Sequence, residues 1–195
     1  SYGLTKLKPI LSKFIKDHHD LKVEIDFSDR KIDLVEDGFD VALRIGVLTD
    51  SSLIARKVTE VGHSVAASPE FWKRHGHPKK PEDLADLDYL QYMNAKNRNV
   101  LFYWGPGGVK GHISPPTRVS ASNGDFLADL AADGCGFMIE PNFILEPYLK
   151  SGALEAVLPQ FAWSEMNLYL VYPPTRRIAA KTRAFSEAVI KALGT

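Results

Sequence analysis

The sequence predicts an α/β domain, and three observations support that fold class. Apolar residues make up 45% and charged residues 25% of the 195 residues, which is ordinary globular composition. Segments with helical apolar spacing alternate along the chain with strand-like runs. The connections between these segments are short, which favours crossover units and a parallel sheet.

The first third of the chain shows this alternation. Helices are predicted over residues 4–15 and 31–37, and strands over residues 21–27, 40–46 and 53–67. In the first helix, apolar residues at positions 4, 7, 11 and 14 form one face. In the first strand, apolar and charged residues alternate, which indicates a strand with one buried face. Gly38 suits the end of the second helix.

The remainder of the chain continues the pattern. Short helices are predicted over residues 69–74 and 81–85, and longer ones from residues 122–125, from Pro141 to near Gly152 and over residues 178–193. Strands are predicted within residues 90–117 and over residues 137–139 and 167–172. Ser68 suits an N-cap, and Ser122 with Asp125 resembles a capping box.

The charge balance argues against a nucleic-acid-binding surface. Lys and Arg together number 24, Asp and Glu together number 24, and the formal net charge is zero. A domain that grips a phosphate backbone usually carries a basic excess. The basic run at residues 73–80 is broken by Gly76 and Pro78, and we interpret it as a solvated loop.

Cysteine usage and hydropathy indicate the compartment. Cys135 is the single cysteine, so no disulfide forms within the chain, and a reducing, cytoplasmic compartment is expected. No apolar run approaches the roughly 18 residues that span a membrane, so no membrane partner is expected. No secretory signal is visible. The chain opens at Ser1 as if within a fold, so we expect a segment to precede it.

The sequence contains no recognisable catalytic or metal-binding motif. The glycine-rich segments fit neither the phosphate loop nor the dinucleotide fingerprint. His18 and His19 are adjacent, and His75 and His77 have no Cys or carboxylate at ligand spacing. Cys135 lies in a Gly-Cys-Gly turn, where a small buried thiol is favoured over a nucleophile. We therefore expect no enzyme activity, no cofactor and no metal.

Several segments together resemble the effector-binding domain of LysR-type transcriptional regulators. The most specific match is SDR at residues 28–30 followed by DLVEDGFDVALRIG at residues 33–46. The other matching segments are AASPEF at 66–71, HGHP at 75–78, PEDL at 81–84, NGD at 123–125, GCG at 134–136, Pro141, residues 154–158 and VYP at 171–173. The resemblance covers nearly the whole chain.

This resemblance implies a fold like that of type 2 periplasmic binding proteins, with two Rossmann-like lobes joined by two crossover strands. Lobe I would comprise residues 1–66 plus 173–195, and lobe II residues 67–172. The hinges would lie near Ala67 and Tyr172, where the character of the sequence changes.

The resemblance also implies a function. The chain would bind a small effector in the interlobe cleft and pass that signal to a DNA-binding domain. The family's winged helix-turn-helix would precede Ser1, so this chain alone is not expected to bind operator DNA. Homodimers or tetramers would form through helices of lobes I and II. Two rivals are a solute-binding protein of a transporter with the same fold and an α/β enzyme that uses Cys135.

The candidate effector-binding residues are Ser1, Tyr2, Arg44, Ile45, Gly46, Ser68, Met93, Asn94, Asn123 and Glu140. In doubly wound sheets, ligands collect at the carboxyl ends of strands, where helix N-termini offer N–H groups to anions. Arg44 offers a bidentate contact to a carboxylate, which favours an anionic metabolite. Glu140 replaces the family's usual apolar residue and instead favours a cationic or hydroxyl-rich ligand.

Structural roles remain open for the same residues. The alternatives are N-capping by Ser68 and Asn123, pairing of Arg44 with Asp29 or Asp33, a turn at Gly46 and a solvent-facing Glu140.

Overall fold

The computed structural model describes residues 2–27, 33–47, 53–95, 97–174 and 177–194. In chain order, the elements are a π-helical turn Gly3–Leu7, α1 Lys8–Asp17, β1 Ala42–Gly46, β2 Ile54–Glu60, β3 His63–Ala67, α2 Pro69–His75, a 3₁₀ turn Pro81–Leu84, β4 Tyr89–Tyr92, β5 Leu101–Trp104, a 3₁₀ turn Pro106–Gly108, β6 Lys110–Ile113, β7 Thr117–Ala121, α3 Gly124–Ala132, β8 Met138–Pro141, α4 Asn142–Ser151, β9 Glu155–Val157, β10 Asn167–Tyr172 and α5 Ala180–Leu193. The mixture of helices and strands confirms the predicted α/β class.

The chain divides into two compact units. Unit 1 is Ser1–Val61 with Glu165–Thr195, and unit 2 is Gly62–Ser164. Both breaks come earlier in the sequence than the hinges predicted near Ala67 and Tyr172. Strand pairing explains the difference, because β3 pairs within unit 2 and β10 pairs within unit 1.

Unit 1 is built on a three-stranded sheet in which β10 lies between β1 and β2 and is antiparallel to both. Leu168 and Leu170 of β10 are completely buried. The rings of Phe14 on α1 and Phe185 on α5 meet edge to face with their centroids 5.4 Å apart. The Tyr172 hydroxyl donates a hydrogen bond to Ser186 Oγ at 2.8 Å. This bond connects the end of β10 to α5.

Unit 2 combines antiparallel and parallel pairing. Strand β3 lies between β8 and β9 and is antiparallel to both, whereas β4 and β7 are parallel. Strands β5 and β6 form an antiparallel hairpin. One apolar cluster contains Trp72 and Phe137, and a second contains Leu127 and Leu145 beneath α3 and α4. These two clusters are the core of unit 2.

The parallel pairing predicted from the alternation of helix and strand up to Gly46 is wrong within the described residues. There β1 and β2 pair with β10, which returns from the far end of the sequence. Local alternation of helix and strand favoured sequential crossovers, and this long-range antiparallel partner leaves no signal in the local pattern. The strand-like stretch over residues 53–67 is confirmed as β2 and β3, with its break at Val61 and Gly62.

Two predicted elements near the start of the chain do not form as expected. Residues 21–27 make no strand pair with the described part of the chain, and Phe27 is 62% exposed. Of the helix predicted over residues 31–37, the described part is a turn in which Asp33 Oδ1 accepts from the Val35 and Glu36 N–H groups. Residues 28–32, with the SDR segment, lie outside the described residues.

Cys135 was predicted to be buried and is exposed instead. Helix α3 ends with Gly134 in the left-handed region, at φ 78°. The Gly134 N–H donates to Ala131 O and the Cys135 N–H to Leu130 O, each at 3.0 Å. The backbone of this turn therefore closes the helix without using the thiol.

Candidate functional site

Two parallel strands of unit 2 end side by side. In the register of β4 and β7, Tyr92 lies opposite Ala121, and the Met93 N–H donates to Ala121 O at 2.8 Å. The residues that follow each strand therefore share one edge of the pair. We call residues 92–94 and 121–123 the β4–β7 edge. It brings together three predicted site residues, namely Met93, Asn94 and Asn123.

Helix α3 begins at the β4–β7 edge. Asn123 adopts an extended conformation, and its Oδ1 accepts from the Phe126 N–H at 2.9 Å. Asn123 is therefore the N-cap, and the predicted capping box at Ser122 is wrong by one residue. An asparagine carboxamide satisfies one of the orphan N–H groups at a helix start. The asparagine side chain itself remains exposed.

Apolar side chains flank this polar edge. Met93 is 38% exposed and Phe126, in the first turn of α3, is 52% exposed. An edge that presents amide groups beside apolar surface suits a ligand with a polar and an apolar part. Phe126 is not among the candidate residues that the sequence singled out, because an apolar residue in a helix ordinarily belongs to its buried face.

Glu140 is not solvent-facing, which was one alternative left open by the sequence. It lies on β8 opposite Ser64 of β3 and is only 4% exposed. Its carboxylate approaches Gly124, and a Cβ added to that glycine would stand 3.0 Å from Glu140 Oε2. Its other oxygen, Oε1, is buried without a hydrogen-bond partner among the described residues.

The surroundings of Glu140 disfavour its charged form. Burial, and then repulsion by the Asp125 carboxylate, raises the pKa of Glu140 to about 8. Burial and the neighbouring Glu140 also raise the pKa of Tyr89 on β4. At neutral pH the Glu140 carboxyl group is therefore mostly protonated. It acts there as a polar but uncharged group.

Helices α3 and α4 are joined by polar contacts close to this carboxyl group. The Tyr148 hydroxyl donates to Asp129 Oδ1 at 2.6 Å. Burial and this hydrogen bond raise the pKa of Tyr148 to about 12. Tyr148 is thus a neutral hydrogen-bond donor that fixes α4 to the exposed side of α3.

Ser68 acts as a helix cap. Its Oγ accepts from the Phe71 N–H at 3.2 Å, and the residue is 5% exposed. Ser68 is therefore the N-cap of α2, which was the structural role left open for it by the sequence. A ligand contact by Ser68 stays a prediction.

The remaining candidates lie in unit 1. Arg44, Ile45 and Gly46 form the end of β1, where they pair with residues of β10. Of the two predicted acidic partners of Arg44, Asp29 lies outside the described residues and Asp33 accepts from backbone N–H groups. Tyr2 is half-buried, and burial raises the pKa of its hydroxyl. Ser1 lies outside the described residues.

A buried glutamine on β4 was not predicted to matter. Gln91 is 3% exposed, and its Oε1 accepts from Thr117 Oγ1 at 3.1 Å. Its amide nitrogen donates to the Arg98 carbonyl. Gln91 thereby ties β4 to the start of β7 and to the loop after β4, which supports the β4–β7 edge. The signal was present in the sequence, as a polar residue inside the apolar run of β4.

The structure offers no metal centre within the residues it describes, where no group of three His, Cys, Asp or Glu side chains is arranged to hold an ion. In the same part of the chain, no helix is long and apolar enough to cross a membrane.

Comparison with known proteins identifies related chains. The family model described as the LysR substrate binding domain matches residues 1–194. An uncharacterized HTH-type transcriptional regulator of Haemophilus influenzae is 34% identical over 185 residues, covering 95% of this chain and 64% of that protein. The HTH-type transcriptional activator TtdR of Escherichia coli is 27% identical over 171 residues, covering 88% of this chain and 55% of that protein.

Solved structures agree with these sequence relatives. The full-length virulence activator AphB of Vibrio cholerae has a TM-score of 0.83 and 25% identity, covering 99% of this chain and 65% of that chain. The regulatory domain of CrgA from Neisseria meningitidis has a TM-score of 0.81 and 29% identity, covering 99% of this chain and 94% of that domain. The chain spans less than two thirds of the length of these curated relatives and nearly all of the CrgA regulatory domain.

Proposed function

Because this chain belongs to the LysR substrate-binding domain family, we propose that it senses a small effector for a transcriptional regulator and does no chemistry on that effector. The observation that supports the proposal most directly is the β4–β7 edge. There an N-capping asparagine and a second asparagine follow neighbouring parallel strands, and the exposed Met93 and Phe126 lie within three residues of them in the sequence. Convergent polar groups beside apolar surface are the usual composition of a small-molecule site.

The proposed effector is a small polar metabolite with an anionic group. Arg44, at the end of β1 in unit 1, is the proposed anion contact, because a guanidinium binds a carboxylate through two parallel hydrogen bonds. The α3 N-terminus is a weaker anion site than expected, because Asp125 already places a carboxylate in its first turn. We propose that Met93, Asn94 and Asn123 instead contact the uncharged part of the effector.

The other residues are proposed as secondary contacts. They are Ser1, Tyr2, Ile45, Gly46, Ser68 and Glu140. The buried positions of Ser68 and Glu140 favour an indirect contribution by these two, through the starts of α2 and α3.

A ligand screen with paired variants tests this proposal. Small metabolites are screened by thermal shift, and the hits are measured by calorimetry. We expect Arg44→Ala to weaken binding of anionic hits at least about tenfold, since the lost charged contact is worth about 1.4 kcal/mol or more. Asn123→Ala should weaken the same hits and also destabilise unit 2 by about 1 kcal/mol through loss of the cap.

Exposed residues of the same types provide the controls. Arg56→Ala on β2 and Asn99→Ala, in the loop before β5, should leave every affinity unchanged. If Arg44→Ala and Asn123→Ala bound each hit as tightly as these controls did, the site assignment would be wrong.

The full regulator is proposed to act in the cytoplasm and to reach operator DNA through a separate N-terminal domain. The similarity to HTH-type transcriptional regulators of Haemophilus influenzae and Escherichia coli supports this proposal. Effector binding would then change the population of the regulator's conformations and its DNA binding.

We further propose that the chain forms homodimers or tetramers through its helices. In unit 1, α1 and residues 25–27 border an open apolar groove of about 240 Å³, and Ile15 on its wall is 42% exposed. Exposed apolar surface of this kind marks interaction sites. Sedimentation velocity should show dimers or larger species, and Ile15→Glu should shift them towards monomer. A wild-type chain that stays monomeric at the highest attainable concentration would contradict this proposal.

A further inference from the structure

A buried acid lies directly beneath the start of α3. Glu140 Oε2 would be 3.0 Å from a Cβ on Gly124, the first residue of the helix, and Ile144 of α4 closes the same space. A Cβ on Gly124 would crowd both the carboxyl group and Ile144 Cδ1, which would lie 2.7 Å from it. The acid and the first turn of α3 therefore occupy one tightly packed volume.

The side chains described around this acid do not neutralise a negative charge. Asp125, in the first turn of α3, repels it. Tyr89 of β4 is the titratable neighbour on the strand side. From β3, Ser64 lies opposite Glu140, but its hydroxyl donates to Asn142 Oδ1 at 2.8 Å. His63 lies opposite Pro141 and so extends from the other face of the sheet.

The other charged side chains within α3 and α4 have partners of their own. Asp129 accepts from the Tyr148 hydroxyl, and Glu146 pairs with Lys150 on the outside of α4 at 2.6 Å. A carboxylate formed at Glu140 would be a buried charge with an unbonded oxygen. Such a charge is expensive unless water or a donor reaches it. A shift of the first turn of α3 would relieve this cost by admitting water.

We propose that Glu140 is a proton-responsive group built into unit 2, and that its ionisation displaces the first turn of α3 and so changes the β4–β7 edge. Residue 124 is bonded directly to Asn123, so a displacement of α3 moves the N-cap with it. The consequence for effector affinity rests on the proposed function. The proton site itself does not depend on it.

The direction of the pH effect follows from linkage. Burial holds the pKa of Glu140 in the folded chain at about 8, above its ordinary value of 4.5. Below the ordinary value, the group is protonated in both the folded and the unfolded chain, and its contribution to stability is complete. As pH rises through the folded value, the unfolded chain has already released this proton, so stability falls.

Two measurements on the intact chain test the proposal. The first follows the Glu140 side-chain carboxyl carbon and the backbone amides of residues 123–126 by NMR between about pH 5 and about pH 9. We expect the carboxyl signal to titrate well above the range of exposed glutamates, and the four amides to shift with the same midpoint. A carboxyl signal that titrates in the ordinary range would overturn the proton site. Amides that stay still would overturn its coupling to α3.

The second measurement uses urea unfolding across the same pH range. The denaturation midpoint of the wild-type chain should fall as pH rises towards the alkaline end. In Glu140→Gln this fall should be smaller, and the exposed control Glu70→Gln, whose side chain is 79% exposed, should behave like the wild-type chain. Glu140→Leu serves in the same way if the glutamine variant folds poorly. Equal pH dependence in all variants would contradict the proposal.

Effector binding is then measured separately with any anionic hit of the screen. A proton site that titrates as expected, in a chain that binds no metabolite, would leave the proton site standing and would count against the proposed function. A pH-dependent affinity in the wild-type chain that is lost in Glu140→Gln would support both.

Discussion

Trp72→Ala is expected to cost unit 2 about 3 to 5 kcal/mol, which is the range for removing a buried aromatic side chain. Trp72 is completely buried on α2, and its ring meets Phe71 edge to face with the centroids 5.3 Å apart. Its indole Nε1 donates to the Glu155 carbonyl on β9 at 2.9 Å. The alanine variant loses packing in the core and leaves that carbonyl without its donor.

Urea unfolding followed by far-ultraviolet circular dichroism measures this effect, because that signal does not depend on the tryptophan. Trp72→Phe separates the two contributions, since it keeps an aromatic ring and removes the hydrogen bond. We expect Trp72→Phe to cost clearly less than Trp72→Ala. An alanine variant as stable as the wild-type chain would show that α2 is not held by this residue.

Gly136→Ala is expected to destabilise unit 2 by about 2 to 3 kcal/mol, as overpacking in a rigid environment does. A Cβ on Gly136 would stand 2.6 Å from the Asp88 carbonyl oxygen and 3.1 Å from the Leu90 side chain. The same carbonyl accepts from the Phe137 N–H at 2.9 Å, and the Leu90 N–H donates to Phe137 O at 2.8 Å. The backbone at Asp88 cannot move away from the added methyl group without weakening both of these hydrogen bonds.

Gly62→Ala is the matched control. A Cβ there would meet the Asn142 side-chain amide at 2.8 Å, and this side chain can turn away if it gives up the exposed hydrogen bond that it accepts from the Ser64 hydroxyl. We therefore expect a cost below about 1 kcal/mol from this substitution. Equal unfolding midpoints for the two variants would mean that the backbone around Gly136 tolerates displacement.

Beyond residue 67, the start of α2 and the end of α4 were predicted well because their signals are local. Pro69 after Ser68 predicted a capped helix start, and α2 begins there. Gly152 predicted the end of α4, and it adopts a left-handed conformation at φ 77°. In both places a residue with a strong backbone preference decides the structure, with little influence from distant parts of the chain.

Residues 21–27 show where such reasoning fails. Their alternation is that of a strand, yet a strand exists only when a second edge supplies hydrogen bonds. The partner of an edge is a property of the tertiary structure. For the same reason β10 as the central strand of unit 1 was not foreseen, although its position at residues 167–172 was.

In the candidate site, too, local signals predicted some features, and features that depend on the tertiary structure were not predicted. Asn123 was predicted because it opens a helix and Met93 because it follows a strand, and both lie at the β4–β7 edge. Glu140 was singled out as an unusual residue, but its burial could not be read from the sequence. Strand β8 has a buried side chain at Met138 and another at Glu140, and alternation shows which residues share a face without showing which face is inward.

The exposed thiol after α3 provides a natural attachment site for a reporter dye. Cys135 is the single cysteine of the sequence and lies at the surface, so a maleimide fluorophore would attach at one place without any engineering. The backbone of its turn is bonded to the last turn of α3, the helix whose other end begins at the β4–β7 edge. A dye at Cys135 would give a fluorescence readout at the far end of that helix, in the unmodified sequence and in real time.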